Sequence, residues 1–180
     1  LLVPNGGEIL VDGIAPGVAS KSIISYLPER TYLADWMRVS DIIRYFEDFY
    51  EDFDTARATE MLHSLQIDSH DKLQTMSKGT REKVQLILVM SRHARFYILD
   101  EPIAGVDPAA RDYILRTILS NYDPNATILL STHLISEIEN ILDEVIFIRD
   151  GQVILHDTVE NVRMAQGKSV DQYFREVFAC

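Results

Sequence analysis

The stretch that most restricts the fold lies between Arg95 and Thr132. "RFYILD" is a short run of apolar and aromatic residues ending in an acid, "DPAARDYILRTILSNY" opens as helices open, and "ATILLST" is a second apolar run. Asp107 is a good N-cap residue, and Pro108 stands at the first turn, where its missing N–H costs nothing. Strand-length runs that are apolar throughout belong to strands covered on both faces, and helices alternating with them supply the cover. The chain is therefore expected to be an α/β protein with both runs buried.

The flanking segments fit that plan. "GEILVDG" (Gly7 to Gly13) reads as a strand closed by an Asp-Gly turn, and "SIISYLPE" (Ser22 to Glu29) as another stopped by Pro28. Between Asp35 and Leu73 the pattern changes. Ile42, Tyr45, Phe46, Phe49 and Phe53 recur at helical spacing, with Ser40 as the expected N-cap. Asp54 opens a second helix carrying Ala58, Met61, Leu62 and Leu65 on one face, so a compact helical lobe is expected here. After "ATILLST" come a helix in "HLISEIENIL", a hairpin around Asp150-Gly151, and a tail of one or two short amphipathic helices from about Val159.

With 180 residues, 47% hydrophobic and 25% charged, the chain has the composition of an ordinary globular domain with a real core. Its net charge of −11 argues against broad phosphate-backbone binding, which needs a basic footprint. The one cysteine, Cys180, rules out an internal disulfide and suits a reducing compartment. "VQLILVM" (Val84 to Met90), the longest apolar run and one with a single Gln in it, is far short of a membrane span.

"APGVASKS" (Ala15 to Ser22) ends like the phosphate loop G-x-x-x-x-G-K-[ST], but Ala15 and Ser20 replace its glycines and Pro16 deletes an N–H. Such a loop needs glycine because its N–H groups converge on phosphate through conformations that a β-carbon resists. A phosphate loop should also open a helix, whereas this one runs into "IISYLPE". It is expected to be a solvent-facing turn between strands.

Four stretches downstream carry the chemistry: "MSKGTREK" (Met76 to Lys83), "FYILDEP" (Phe96 to Pro102), "IAGVDP" (Ile103 to Pro108) and "STHL" (Ser131 to Leu134). An acid at the carboxyl end of a buried strand sits where α/β sheets bind ligands. A helix beginning at Ser77 beside Gly79 offers free N–H groups and a positive dipole end to an anion. In this order the four stretches resemble the second half of the ATPase domain of ATP-binding-cassette (ABC) proteins, over nearly the whole chain.

The resemblance implies a P-loop NTPase (RecA-like) core with an inserted helical lobe. The core is expected over 1–34 and 93–158, the signature lobe over 35–92, and a helical tail over 159–180. It implies ATP and Mg²⁺ as cofactors. Asp100 resembles the acid that holds Mg²⁺, Glu101 the general base for the attacking water, and His133 the switch histidine at the γ-phosphate. Ser77, Lys78 and Gly79 resemble the signature that binds ATP held by a second subunit, with Lys78 replacing a glycine and Thr80 a glutamine. Asp107 resembles the D-loop acid, with Val106 where Leu is commoner. Glu29 occupies the position of the Q-loop glutamine that contacts Mg²⁺, and a carboxylate also serves a hard cation.

The family's first strand, glycine loop and helix would precede Leu1, a unit of roughly thirty residues. The 180 residues alone are accordingly expected to bind ATP poorly, not to turn it over, and to self-associate through an exposed sheet edge. The implied protein is an exporter-like transport ATPase on the cytoplasmic face of the membrane. It would act as a head-to-tail dimer with a second ATPase subunit and an integral membrane subunit, without nucleic acid. Rival readings are a soluble ABC-type ATPase acting on ribosomes or DNA, and a non-catalytic interaction module. Only 48 positions separate Glu29 from Ser77, which leaves no room for the long coiled coil of chromosome-type members.

Overall fold

The computed structural model describes residues 4–104 and 108–179, and for residues 108–110 the backbone only. The chain divides into two compact units, Leu1–Ser131 and Thr132–Cys180.

The first unit is built on a parallel sheet of three strands in the order β1 (Ile24–Leu27), β2 (Phe96–Asp100), β3 (Thr127–Ser131). Ser25 stands opposite Tyr97 and Leu27 opposite Leu99, and all four are buried on one face. That face is covered by α4 (Lys78–Met90), whose residues Val84 to Met90 are all buried. A helix apolar all round its girth belongs inside, and the Ser25 hydroxyl fastens β1 to it by donating to the Val89 carbonyl at 2.9 Å.

The opposite face is a correction to the expectation of fully buried strands. Tyr26, Ile98 and Leu129 align across it, and Leu129 is 53% exposed. Among the described residues no element covers this side, and β3, one of the two outer strands, alternates exposed and half-buried positions.

The lobe holds α2 (Val39–Phe49) and α3 (Thr55–Ser64), both packed on α4. The Asp54 carboxylate caps α3 as expected, accepting from Arg57 N at 2.8 Å. The first cap is Arg38, not Ser40: Val39 and Ser40 spend their N–H groups on the carbonyls of Asp71 and Ser69, so the helix starts earlier than its local sequence implies. Arg57 reaches the last carbonyls of α4 and α5 (Pro108–Asn121), Met90 O at 3.2 Å and Asn121 O at 2.9 Å, where the helix dipoles favour a cation.

Two further expectations change. "GEILVDG" forms no strand, only a bridge between Val11 and Ile14 across a turn whose Asp12 and Gly13 have φ of 53° and 73°. "APGVASKS" contains a five-residue helix, α1 (Val18–Ser22), in place of a plain turn.

The second unit follows the reading closely. A short α6 (Ile135–Ile138) continues as a 3₁₀ turn (Glu139–Ile141) and leads to an antiparallel hairpin of β4 (Glu144–Arg149) and β5 (Gln152–Thr158). Asp150 and Gly151 both take positive φ, 51° and 75°, as the tight turn between right-twisted strands requires. Helices α7 (Val159–Gln166) and α8 (Val170–Val177) follow. Phe147 packs among Tyr173, Phe174 and Phe178, with ring centres 5.4 to 5.9 Å apart.

Candidate functional site

Because the three strands are parallel and in register, their carboxyl ends lie on one edge of the sheet. Leu27 pairs with Leu99, and Asp100 with Ser131, so the loops carrying Glu29 and Asp100-Glu101 leave from that edge, where β3 ends at Ser131. The strands bring Asp100, Glu101 and Ser131 together. The Ser131 hydroxyl donates to Asp100 Oδ1 at 2.6 Å, and Glu101 N donates to the Ser131 carbonyl at 3.1 Å. Ser131 was not singled out from the sequence. Its place opposite Asp100 follows from strand register, which a single chain of letters does not contain.

Glu101 takes φ of 48°, in the left-handed region that a residue with a β-carbon enters only under constraint. Its N–H is held by β3 and its carbonyl accepts from Ala104 N at 3.1 Å, and these two bonds fix the reversal of the chain. A cleft of about 260 Å³ lies on the open face of the sheet, bounded by Tyr26, Ile98, Leu99, Asp100, Leu129 and Ser131. Oxygen donors at its acidic end suit a hard cation. Among the described residues no group of three or more acids, His or Cys gathers as a metal cage.

Ser77 is the N-cap of α4, its hydroxyl accepting from Thr80 N at 3.1 Å. Lys78, exposed, lies 3.6 Å from Glu82 one turn along the same helix. Gly79 has ordinary helical φ and nothing within 4 Å of where a β-carbon would stand. Its own fold therefore gives no reason for glycine, which costs a helix about 1 kcal/mol relative to Ala; close approach of another molecule to this first turn would supply one. Glu29 is exposed just beyond Pro28, whose carbonyl accepts from Gln85 of α4 at 3.3 Å. His133 is exposed at the start of the second unit, and Asp107 lies outside the described residues.

The geometry of "APGVASKS" excludes it as a phosphate cradle. The Gly17 N–H already donates to Ser20 Oγ at 2.8 Å, the Ser22 hydroxyl turns back to the Ala19 carbonyl, and Lys21 falls in the last turn of α1. A phosphate-binding lysine belongs at the start of its helix.

A parallel α/β sheet with acids at its carboxyl edge and a capped helix bearing Ser-Lys-Gly define the class as a P-loop NTPase of the ATP-binding-cassette fold. A family model described as ABC transporter matches residues 1–104, and the chain belongs to that family. It is 28% identical over 144 residues to an uncharacterised ABC transporter ATP-binding protein of Methanocaldococcus jannaschii, covering 77% of this chain and 55% of that protein. It is 25% identical over 160 residues to the SkfA peptide export ATP-binding protein SkfE of Bacillus subtilis, covering 86% and 67%. The fold matches a solved structure titled as the ATP-binding subunit of an ABC transporter, with TM-score 0.86 and 24% identity over 97% of this chain and 77% of that one. The chain thus spans about half to two thirds of the curated relatives' length. Among the described residues no helix is long and apolar enough to cross a membrane.

Proposed function

We propose that this chain is part of the ATP-binding and ATP-hydrolysing subunit of a membrane transporter. One observation carries the reading: strand β2 delivers Asp100 and Glu101 to the carboxyl edge of a parallel sheet, with Asp100 bonded by Ser131 and Glu101 held in a strained turn. In this reading Asp100, with Glu29, holds Mg²⁺, which neutralises phosphate charge when bound. Glu101 orients and polarises the attacking water, and His133 contacts the γ-phosphate. This is positioning and charge neutralisation, which is what phosphoryl transfer asks of a protein.

The first turn of α4, with Ser77, Lys78 and Gly79, receives ATP bound to a second ATPase subunit, and Asp107 reaches the same shared site. The open space at Gly79, with nothing within 4 Å of where a β-carbon would stand, supports this, because a helix N-terminus offers N–H groups and a positive dipole end to an anion. The division into a core (1–34 and 93–158), a signature lobe (35–92) and a tail (159–180) belongs to the same proposal. So do docking of the lobe on an integral membrane subunit and placement at the cytoplasmic face of the membrane. A relative named for peptide export supports an exporter.

The test is ATP turnover by the full-length parent protein with its membrane subunit. Glu101→Gln is expected to lower turnover by about 10²–10⁴-fold, the range for loss of a general base, while ATP binding persists. Full turnover after that substitution would refute the assignment. The 180 residues alone are expected to show no appreciable hydrolysis.

A further inference from the structure

The last rung of the ladder between β2 and β3 pairs Asp100 with Ser131, and alternation along the strands puts both side chains on the open face of the sheet, with Ile98 and Leu129. Three bonds meet at Ser131. Its carbonyl and its hydroxyl oxygen share the Glu101 N–H, at 3.1 and 3.2 Å, and the hydroxyl reaches Asp100 Oδ1 at 2.6 Å. Chemistry fixes the direction of each. A backbone N–H can only donate and a carboxylate can only accept, so the single hydroxyl proton goes to Asp100. At 2.6 Å the bond has the length of an O–H donating to a charged oxygen, about twice as strong as a neutral one.

Folding alone gives little reason for this arrangement. Ser131 is exposed and Asp100 half-buried, so water competes for both groups and the bond adds little to stability. The strands are already in register from Phe96 to Asp100 without it. Orientation is what the bond does set. The terminal torsion of an aspartate is broad, so an unheld carboxylate swings about it. With Oδ1 held by Ser131, Oδ2 is presented in one direction, at the acidic end of the cleft that both residues bound. The same hydroxyl oxygen steadies the entry to the strained Glu101 turn, whose φ is 48°. One side chain thus sets the bearing of both acids.

We propose that Ser131 is a positioning residue for ATP hydrolysis: its hydroxyl aims the Asp100 carboxylate at the cation of the nucleotide and holds the backbone from which Glu101 meets the water. The proposal rests on the roles given above to Asp100 and Glu101, and it adds a residue on a neighbouring strand that acts through them.

The test uses the full-length parent protein with its membrane subunit. Ser131→Val and Ser131→Thr are close in shape, differ in the hydroxyl, and both favour strands, so the fold persists in each. Affinity for a fluorescent, non-hydrolysable ATP analogue is measured in Mg²⁺ and again in EDTA. Ser131→Val is expected to weaken binding about tenfold in Mg²⁺ and to leave binding in EDTA unchanged. That factor corresponds to one hydrogen bond to a charged group that water also reaches. Turnover should fall at least tenfold. Ser131→Ala should behave as Ser131→Val, and Ser131→Thr should restore both readouts. In an Asp100→Asn background Ser131→Val should add no further loss, because no carboxylate remains to be aimed.

A merely structural serine would lower affinity alike in Mg²⁺ and EDTA, and that result overturns the proposal. So does a loss in Ser131→Thr as deep as in Ser131→Val, or strict additivity with Asp100→Asn. If Asp100→Asn removes the effect of Mg²⁺ on affinity and Ser131→Val leaves it whole, the ATPase reading stands and the role of Ser131 falls. If Asp100→Asn itself leaves that effect and turnover intact, the ATPase reading falls and takes the role of Ser131 with it.

Discussion

Arg92 ties the lobe to the sheet, and its removal should cost more than that of any other polar side chain in the first unit. Its Nε and Nη2 donate to the two oxygens of Asp52 at 2.9 and 3.0 Å, Nη1 to the Ile24 carbonyl at 2.6 Å, and Nη2 to the Ser22 carbonyl at 2.8 Å. The guanidinium carbon lies 4.0 Å from the centre of the Tyr50 ring, and Arg92 is 3% exposed. Asp52 and Tyr50 come from the segment between α2 and α3, and Ser22 and Ile24 from the entry to β1, so one side chain joins three segments.

Arg92→Met keeps the apolar stem and removes the head. Stranding one partner of a buried pair costs about 3–5 kcal/mol. The Asp52 side chain retains 25% exposure, so water relieves part of the loss and about 3 kcal/mol is expected. Loss of the stack on Tyr50 adds about 1 kcal/mol. A total near 4 kcal/mol is a large share of the roughly 5–15 kcal/mol that holds a typical domain folded. Asp52→Leu added to Arg92→Met should recover part of it, giving a coupling energy of about 2 kcal/mol. Urea unfolding followed by Trp36 fluorescence, which reports the first unit, measures both; the slope should not change. A loss below about 1 kcal/mol for Arg92→Met, or strict additivity in the double variant, would refute the reasoning.

The second unit should be acid-sensitive at Glu139. Burial there pushes its carboxyl up, but Arg163, bonded at 2.7 and 2.9 Å, and the backbone N–H groups of Val170 and Asp171 outweigh burial and hold it below the ordinary carboxylate range. A lowered folded value means stability fully present above the unfolded value and lost as pH falls through the folded one. Urea midpoints of Glu139→Gln should therefore vary less with acid than those of the wild type, and parallel acid limbs would contradict this. The aromatic residues of α2 should separate in stability by their burial: Phe46→Ala is expected to cost about 3–5 kcal/mol as a core truncation. Phe49→Ala should stay within about 0.5 kcal/mol as a surface change. Thermal melts of the two variants decide it, and equal losses would place Phe49 in the core.

Features set by neighbours along the chain were legible in the sequence. Ser77 and Asp54 cap their helices through residues three positions on, Asp150-Gly151 turns its hairpin, and "FYILDE" brings two acids to the end of a strand. In each case the partners lie within a few residues, so propensity and spacing already contain the interaction. Other features depended on residues far apart in sequence. Ser131 meets Asp100 across 31 positions, Arg92 meets Ser22 across 70, and β3 is exposed because nothing described covers that side of the sheet. The apolar spacing of α2 gave the helix, but only its packing on α3 and α4 decided that Phe46 faces inward while Tyr45 and Phe49 face out. Local chemistry chose the elements. Which surfaces remained free for a partner was decided by burial, and burial is a sum over contacts made only once the chain has folded.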